Sequence, residues 1–193
     1  MPPNDKNTKK YAQNPRDEIR RADKMITDPS WINALLHRGA YGTVATSHND
    51  QPFLNPTLYV YDASKEAIYF HSANVGRTRA NIELNPNVCF SVTEMGRVLP
   101  NQNAINFNVE YNSVIIFGRA AVINSIPEAT RVLQMLMEKY APHLHPGEDY
   151  DPIPPEDVKR TTVYQIQIEQ TTAKQQAGAA DHPQAFTYTP TQP

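Results

Sequence analysis

The residues best placed to do chemistry lie in one short stretch, from Glu66 to Phe90: EAIYFHSANVGRTRANIELNPNVCF. His71 and Ser72 close an apolar run, and a polar turn then delivers Gly76, Arg77, Thr78 and Arg79 at the start of a short helix. A helix N-terminus carries unpaired N–H groups and a partial positive charge, so anions sit well there. Two guanidiniums and two hydroxyls gathered at such a point suggest a phosphate site, with a flavin nucleotide as the leading ligand. A solvated helix start with surface arginines accounts for the same residues, and the pattern alone leaves both readings open.

Other reactive side chains carry weaker signals. Cys89 is the sole cysteine and lies in an apolar run, which reads as a buried, inert thiol and excludes an internal disulfide. No Cys/His cluster has zinc spacing, and His143 and His145, two apart on a proline-rich loop, read as surface histidines. Tyr59 and Tyr69 could stack on a ring, although tyrosines in strands are mostly packing.

These residues need a frame, and the chain's patterning supplies one. At 193 residues a single main domain is expected, with a net charge of −2 that gives no general basic footprint for nucleic acid. No run approaches the ~20 apolar residues needed to span a bilayer, so a cytoplasmic setting is expected. Residues 1–15 are polar and read as a mobile arm. The main domain is expected over 16–174, and residues 175–193 as a weakly structured tail.

Within the domain, Asp28 followed by Pro29 marks a helix start, with Trp31, Ile32, Leu35 and Leu36 as its apolar stripe and Gly39 as its stop. Tyr41–Ser47 reads as a strand, His48-Asn49-Asp50 as a hairpin turn, and Pro52–Tyr61 as the return strand. That strand alternates, and its Leu54, Pro56, Leu58 and Val60 face is expected to enter the core; Pro56 implies an edge or a bulge. Glu94–Asn108 reads as a long loop and Val109–Ile123 as the longest strand, with Gly118 at a bulge or close approach. Ser125 and Glu128 match a capping box that opens a helix with Ala129, Val132, Leu133 and Leu136 on one face. Thr161–Glu169 is the last expected strand. Hairpin order, five to six strands and two or three helices predict a mainly β fold, a small antiparallel barrel with peripheral helices.

Taken in order, YGTVATS, QPFLNPTLYVY, AIYFHSANVGRTRANIELNPNVCFSV and EYNSVIIFGRA resemble the pyridoxamine 5′-phosphate oxidase-related, FMN-binding split-barrel family. The opening RDEIRRADKMITDPSWINALL is similar to its nitroimidazole-resistance-like branch. The resemblance covers roughly Arg16 to Lys174, and its most specific part is the succession YFHSA, GRTR and the Asn81–Pro86 pattern. It implies an antiparallel, Greek-key type split β-barrel, and a homodimer with FMN at the subunit interface. By the same resemblance Asn55, Pro56, Thr57 and Leu58 line the flavin, His71 and Ser72 reach its ribityl chain and phosphate, and Arg77 and Thr78 clamp the phosphate. Ser113 comes to the flavin from the other subunit.

Two departures from the family pattern bear on function. Thr78 stands where a lysine is usual, leaving Arg77 or Arg79 to supply the charge. The oxidase's second-strand arginine and lysine fall at Asn55 and Val60, and its late tryptophan at Thr171, with Lys174 keeping a basic residue nearby. A pyridoxal phosphate substrate therefore loses its cations. The activity implied is an FMN-dependent oxidoreductase acting on a small organic molecule such as a nitroaromatic. No catalytic side chain is required, and His71 is the best candidate for a direct role. The competing expectations are a flavin carrier or redox sensor without turnover, and haem binding through His71 or the His143/His145 loop.

Overall fold

The computed structural model describes residues 12–190. Residues 1–11, most of the expected N-terminal arm, lie outside them. In chain order the elements are β1 (Met25–Ile26), α1 (Pro29–Arg38), β2 (Gly42–His48), β3 (Gln51–Thr57), β4 (Tyr59–Asp62) and β5 (Ala67–Ala73). Then follow α2 (Arg77–Leu84), β6 (Asn87–Leu99), β7 (Asn108–Val122), α3 (Ile126–Tyr140), α4 (Pro155–Val158), β8 (Thr161–Gln176) and β9 (Phe186–Thr187).

The strands form one sheet in the order β3-β2-β6-β7-β8-β5-β4, with β1 paired to β8 and β9 to β6. Every strand pair is antiparallel. β3 and β4 stand at opposite ends of that path, yet a single residue, Leu58, joins them in the chain. The sheet must therefore curl until its two edges meet without pairing. That is a split barrel.

Local chemistry explains the elements. Asp28 accepts a hydrogen bond from the Ser30 amide at 2.9 Å and Pro29 occupies the first turn, so α1 starts where the cap pattern places it. Asn49 and Asp50 both take positive φ (49° and 59°), which matches the twist of the β2–β3 hairpin. Ser125 accepts from the Glu128 amide and caps α3, while the Glu128 carboxylate turns instead to Arg131 and Lys65. At Gly118 a Cβ would lie 2.2 Å from the Gln167 carbonyl oxygen, and the β7–β8 register shifts there, so this position excludes a side chain.

Two apolar clusters hold the sheet. Inside the barrel, Leu35 and Leu36 of α1 meet Val44, Tyr59, Ile68, Phe70, Phe90, Val114, Ile116, Tyr164 and Ile166. Phe70 stacks on Tyr164 with ring centres 4.7 Å apart. Outside it, α3 lays Ala129, Val132 and Leu136 on Val60, Ala67, Tyr69 and Val163. Full burial of each large apolar side chain is worth roughly 1.5–3 kcal/mol.

Three expectations are corrected. Of the apolar side of the return strand only Val60 enters the core: Leu54 is 63% and Leu58 47% exposed and Pro56 is exposed too, while Phe53, Asn55 and Thr57 are half-buried. Alternation shows that a strand has two faces but not which one turns inward, and on this edge strand the inner face is the polar and aromatic one. Glu94–Leu99 is strand, because β6 continues across a bulge between Met95 and Val98, so the expected long loop shrinks to residues 100–107. The last strand likewise runs on from Glu169 to Gln176, held against β7 along its whole length. Beyond it the tail is tied down: Glu110 accepts from the Gly178 amide at 3.0 Å, Arg97 donates to the Ala179 and Ala180 carbonyls, and β9 pairs with Arg97 and Val98.

Candidate functional site at the phosphate turn

β5 carries His71 and Ser72 to the edge of the barrel, where the chain turns into α2. The turn is pinned to the start of β8. Thr161 Oγ1 donates to the Ser72 carbonyl at 2.8 Å, Asn74 Nδ2 to the Lys159 carbonyl at 2.9 Å, and Thr162 Oγ1 to Asn74 Oδ1 at 2.8 Å. The Ser72 hydroxyl is 3.2 Å from the Tyr164 hydroxyl. His71 is exposed, yet partial desolvation lowers its pKa, which favours neutral imidazole at neutral pH.

At the head of α2 the two arginines have different fates. Arg79 Nε donates to Glu83 at 2.7 Å, and its Nη1 donates to the Asn74 carbonyl (3.2 Å) and to Thr162 Oγ1 (3.1 Å). It stitches the turn together. Arg77 is exposed, has no acidic partner among the described residues, and holds its guanidinium 5.9 Å from the centre of the Phe53 ring on β3. Thr78 is buried within the helix–sheet contact rather than open to solvent. The helix begins after Gly76 with no side-chain cap, so its first amides are unclaimed by side chains. Open space surrounds Gly76 itself. An uncapped helix start, a free guanidinium and a pinned turn fit a phosphate group, with Arg77 rather than Arg79 in the place of the missing lysine.

β3 provides the adjoining wall. It is the last strand of the path, so one side of its backbone has no ladder partner among the described residues. Asn55 and Thr57 are half-buried; Pro56 and Leu58 face outward. The structure thus brings Asn55–Leu58, His71, Ser72 and Arg77 to one side of the molecule, through the Phe53–Arg77 contact and the packing of α2 on β2 and β3.

Ser113 is not brought there. His71 pairs with Val163, beside the Tyr164–Val122 pair, and the Ser113–Val122 stretch of β7 spans roughly 30 Å of extended chain. Pro56, Thr43, Ser91 and Ile115 form one row across four strands, which puts β7 about 14 Å from β3 at that level. A single chain cannot bring Ser113 to its own phosphate turn.

The remaining candidates are quiet. Cys89 is half-buried rather than buried, and desolvation raises its thiol pKa, so it is not a ready thiolate. His143 and His145 are exposed, and no group of three or more His, Cys, Asp or Glu among the described residues is arranged to hold a metal. Tyr59 and Tyr69 are wholly buried, which removes them as stacking partners for a ligand.

A family model for pyridoxamine 5′-phosphate oxidase matches residues 28–175, which include every strand of the barrel except β1 and β9. The chain belongs to the pyridoxamine 5′-phosphate oxidase family. Among solved structures, the flavocytochrome Anf3 from Azotobacter vinelandii superposes with a TM-score of 0.76 at 22% identity, covering 93% of this chain and 89% of that one. The FAD and haem binding protein from Mycobacterium smegmatis gives 0.71 at 18% identity, covering 80% of this chain and 74% of that one. A candidate 5-nitroimidazole antibiotic resistance protein from Bacteroides thetaiotaomicron gives 0.65 at 20%, covering 78% and 85%. At these identities the likeness is one of fold. No curated protein sequence matches the chain.

Within this pyridoxamine 5′-phosphate oxidase fold, the members of the site that sequence reasoning missed are Phe53, Asn74 and Thr162. Phe53 shares a strand face with Asn55 and Thr57, so the period-two pattern already placed it beside them. Asn74 and Thr162 lie far apart in sequence and meet only because β5 and β8 pair, which nothing local announces.

Proposed function

We propose that this chain is a flavin-dependent oxidoreductase that binds FMN at the interface of a homodimer and acts on a small organic substrate, such as a nitroaromatic. The observation that carries the reading is Arg77: an exposed guanidinium without an acidic partner among the described residues, at the uncapped start of α2, beside the free edge of β3. An arginine fork suits a phosphate, and the α2 amides add donors to it. His71 and Ser72 stand at the same turn for the phosphate and ribityl chain, and Asn55–Leu58 offer strand backbone and two outward apolar side chains to a planar ring.

The flavin would supply the redox chemistry; the protein's part is to bind it, orient it and exclude water. A second copy of the chain answers two features at once. It covers Leu54 and Leu58, which the monomer leaves exposed, and it offers a Ser113 that the chain's own fold keeps distant. A cytoplasmic location suits this reading, and no helix among the described residues is long and apolar enough to cross a membrane.

The test is the absorption spectrum of the protein as purified, followed by reduction with NADH or NADPH. A bound flavin that is reduced and then reoxidised faster when a nitro compound is added supports the enzyme. Reoxidation at a rate independent of added substrate supports a carrier or sensor on the same site, and a protein that binds no flavin overturns both. A second reading adds haem, since two structures of this fold are described as a flavocytochrome and as an FAD and haem binding protein. His71, exposed and with a lowered pKa, is the ligand it would use. A Soret band on reconstitution, lost in His71→Ala, is its mark.

A further inference from the structure

The seam of the split barrel is closed at one edge by a side chain. β4 stands at the end of the path opposite β3, and its pairing with β5 uses only one side of its backbone. On the other side the Tyr140 hydroxyl, at the end of α3, takes the place of a strand: it accepts from the Tyr59 N–H at 3.1 Å and donates to the Tyr59 carbonyl at 3.2 Å. The Tyr59 ring is wholly buried, and its hydroxyl donates to the Leu36 carbonyl of α1 at 2.7 Å. Lys139 holds its Nζ 3.7 Å from the centre of that ring and 5.2 Å from the centre of the Tyr140 ring. This Nζ is closed to solvent and has neither a hydrogen-bond nor an ion-pair partner among the described residues. Two ring faces offset only part of the cost of such a buried ammonium.

α3 is anchored unevenly. Its first turns are held by the Ser125 cap, by the bonds of Glu128 to Lys65 and Arg131, and by Ala129, Val132 and Leu136 on the sheet. Its last turn carries the two Tyr140 bonds, and the chain then passes into residues 142–149, all of them exposed. An attachment to the seam and an uncompensated charge thus lie at consecutive residues.

We infer that the last turn of α3 is a latch on the barrel seam, closed by the Tyr140 hydroxyl and loosened by the positive charge of Lys139. Opening breaks the two Tyr140 bonds, bares the Tyr59 N–H and returns the ammonium to water, while the rest of the sheet stays folded. Leu58, which joins β3 to β4, is the neighbour of Tyr59, so the same event frees the corner at which the two edges meet. Burial holds the closed-state pKa of Lys139 down to about 8 against an ordinary 10.5, so the protonated form favours the open latch. Opening is therefore most frequent below pH 8 and falls as pH rises toward 10.5. The other groups around Lys139 are the Tyr59 and Tyr140 hydroxyls, both pushed up by burial, the exposed Glu138, and beyond Tyr59 the Arg38–Glu94 pair of α1 and β6, joined at 2.8 Å. None of these forms an ion pair with the ammonium. The latch requires no ligand, so its failure would leave the flavin reading standing.

The experiment is residue-resolved amide hydrogen exchange on the full chain, comparing Tyr59 with Ile116 at the buried centre of β7. Tyr59 should exchange through an opening at least about tenfold more frequent than that of Ile116 and only weakly dependent on added urea, the mark of a local event. Corrected for the base catalysis of exchange itself, this opening should fall about tenfold between pH 6.5 and 9 in the wild type, a measurement that needs no variant.

At pH 7 Lys139→Met should reduce the opening at least about tenfold and remove its pH dependence, Lys139→Arg should keep it frequent, and Tyr140→Phe should make it more frequent. Two results would overturn the latch. One is Tyr59 and Ile116 opening with equal frequency and equal urea dependence, which would mean that the seam opens only when the whole fold does. The other is a Tyr59 opening unchanged within about twofold both across that pH range and in Lys139→Met.

Discussion

The two ends of the barrel use the same side chain for opposite purposes. At the arm formed by β6, β7 and β9, Arg97 is tied to the fold: its Nε and Nη2 donate to Glu110 at 2.9 and 2.7 Å, Nη2 donates also to the Ala179 carbonyl, and Nη1 to the Ala180 carbonyl. At the phosphate turn, Arg77 has no acid and rests beside an aromatic ring. The contrast repeats within α2 itself, where Arg79 is consumed by Glu83, Asn74 and Thr162. An arginine bound to an acid and to backbone carbonyls or side chains of its own fold is structure. One with no acidic partner among the described residues, beside an uncapped helix start, has its donors open to an anion.

The largest effect that would sharpen this contrast is on ligand binding. Arg77→Ala is expected to weaken flavin mononucleotide by at least about tenfold, because a charge-assisted phosphate contact is worth roughly 1.5–3 kcal/mol. The melting temperature of the flavin-free protein should hardly change. Unaltered affinity would move the site away from the turn.

Next in size is a stability effect at a third cation. The Lys139 ammonium lies 3.7 Å above the Tyr59 ring, with no hydrogen-bond partner among the described residues and buried enough that its pKa is pushed down to about 8. Its folded pKa lies below the unfolded value of 10.5, so the charged form costs stability, and stability should rise with pH between about 8 and 10.5. Lys139→Met is expected to stabilise the protein by about 1–2 kcal/mol at pH 7, after discounting for partial solvent contact, and to abolish that rise. Chemical denaturation at pH 7 and 9.5 checks both. A destabilised variant would show that the cation–π contact outweighs desolvation.

A smaller effect belongs to the arm. Glu110 is held down to about 2 by Arg97 and by the Gly178 and Arg97 amides, against an ordinary value of 4.5. Its contribution is complete above 4.5 and is lost as pH falls toward 2. Glu110→Gln should therefore flatten the acid limb of the melting temperature and speed proteolysis of the tail, without altering flavin affinity. A large loss of flavin binding would contradict the separation of the two ends. Smallest of all, Arg79→Gln should change flavin affinity by less than about threefold, as a residue that acts on the ligand only through the turn.

Much of the fold is legible in the amino-acid sequence itself. Asp28-Pro29, Ser125 with Glu128, the Asn49-Asp50 turn and Gly118 are local signals, and each marks the feature its chemistry requires. The phosphate turn is legible as a cluster of residue types, because its parts are contiguous. Side and phase are what the sequence does not convey. Leu54 and Leu58 alternate as a core face would, but on this edge strand that face turns outward. Arg77 and Arg79 are equivalent on paper; two positions of helix phase and the distant Thr162 separate them. Glu94–Leu99 and Gln170–Gln176 look irregular because their stability comes from pairing with β7 and β9 rather than from apolar alternation of their own.

The central claim is that Arg77 and the start of α2 bind a flavin phosphate while Arg79 only holds the turn. Parallel fluorescence titrations of flavin mononucleotide into wild-type, Arg77→Ala and Arg79→Gln protein measure it directly. The account predicts saturable binding by the wild type, at least about tenfold weaker binding by Arg77→Ala, and near-wild-type binding by Arg79→Gln. Equal affinities for wild type and Arg77→Ala, or no flavin binding by the wild type, would contradict it.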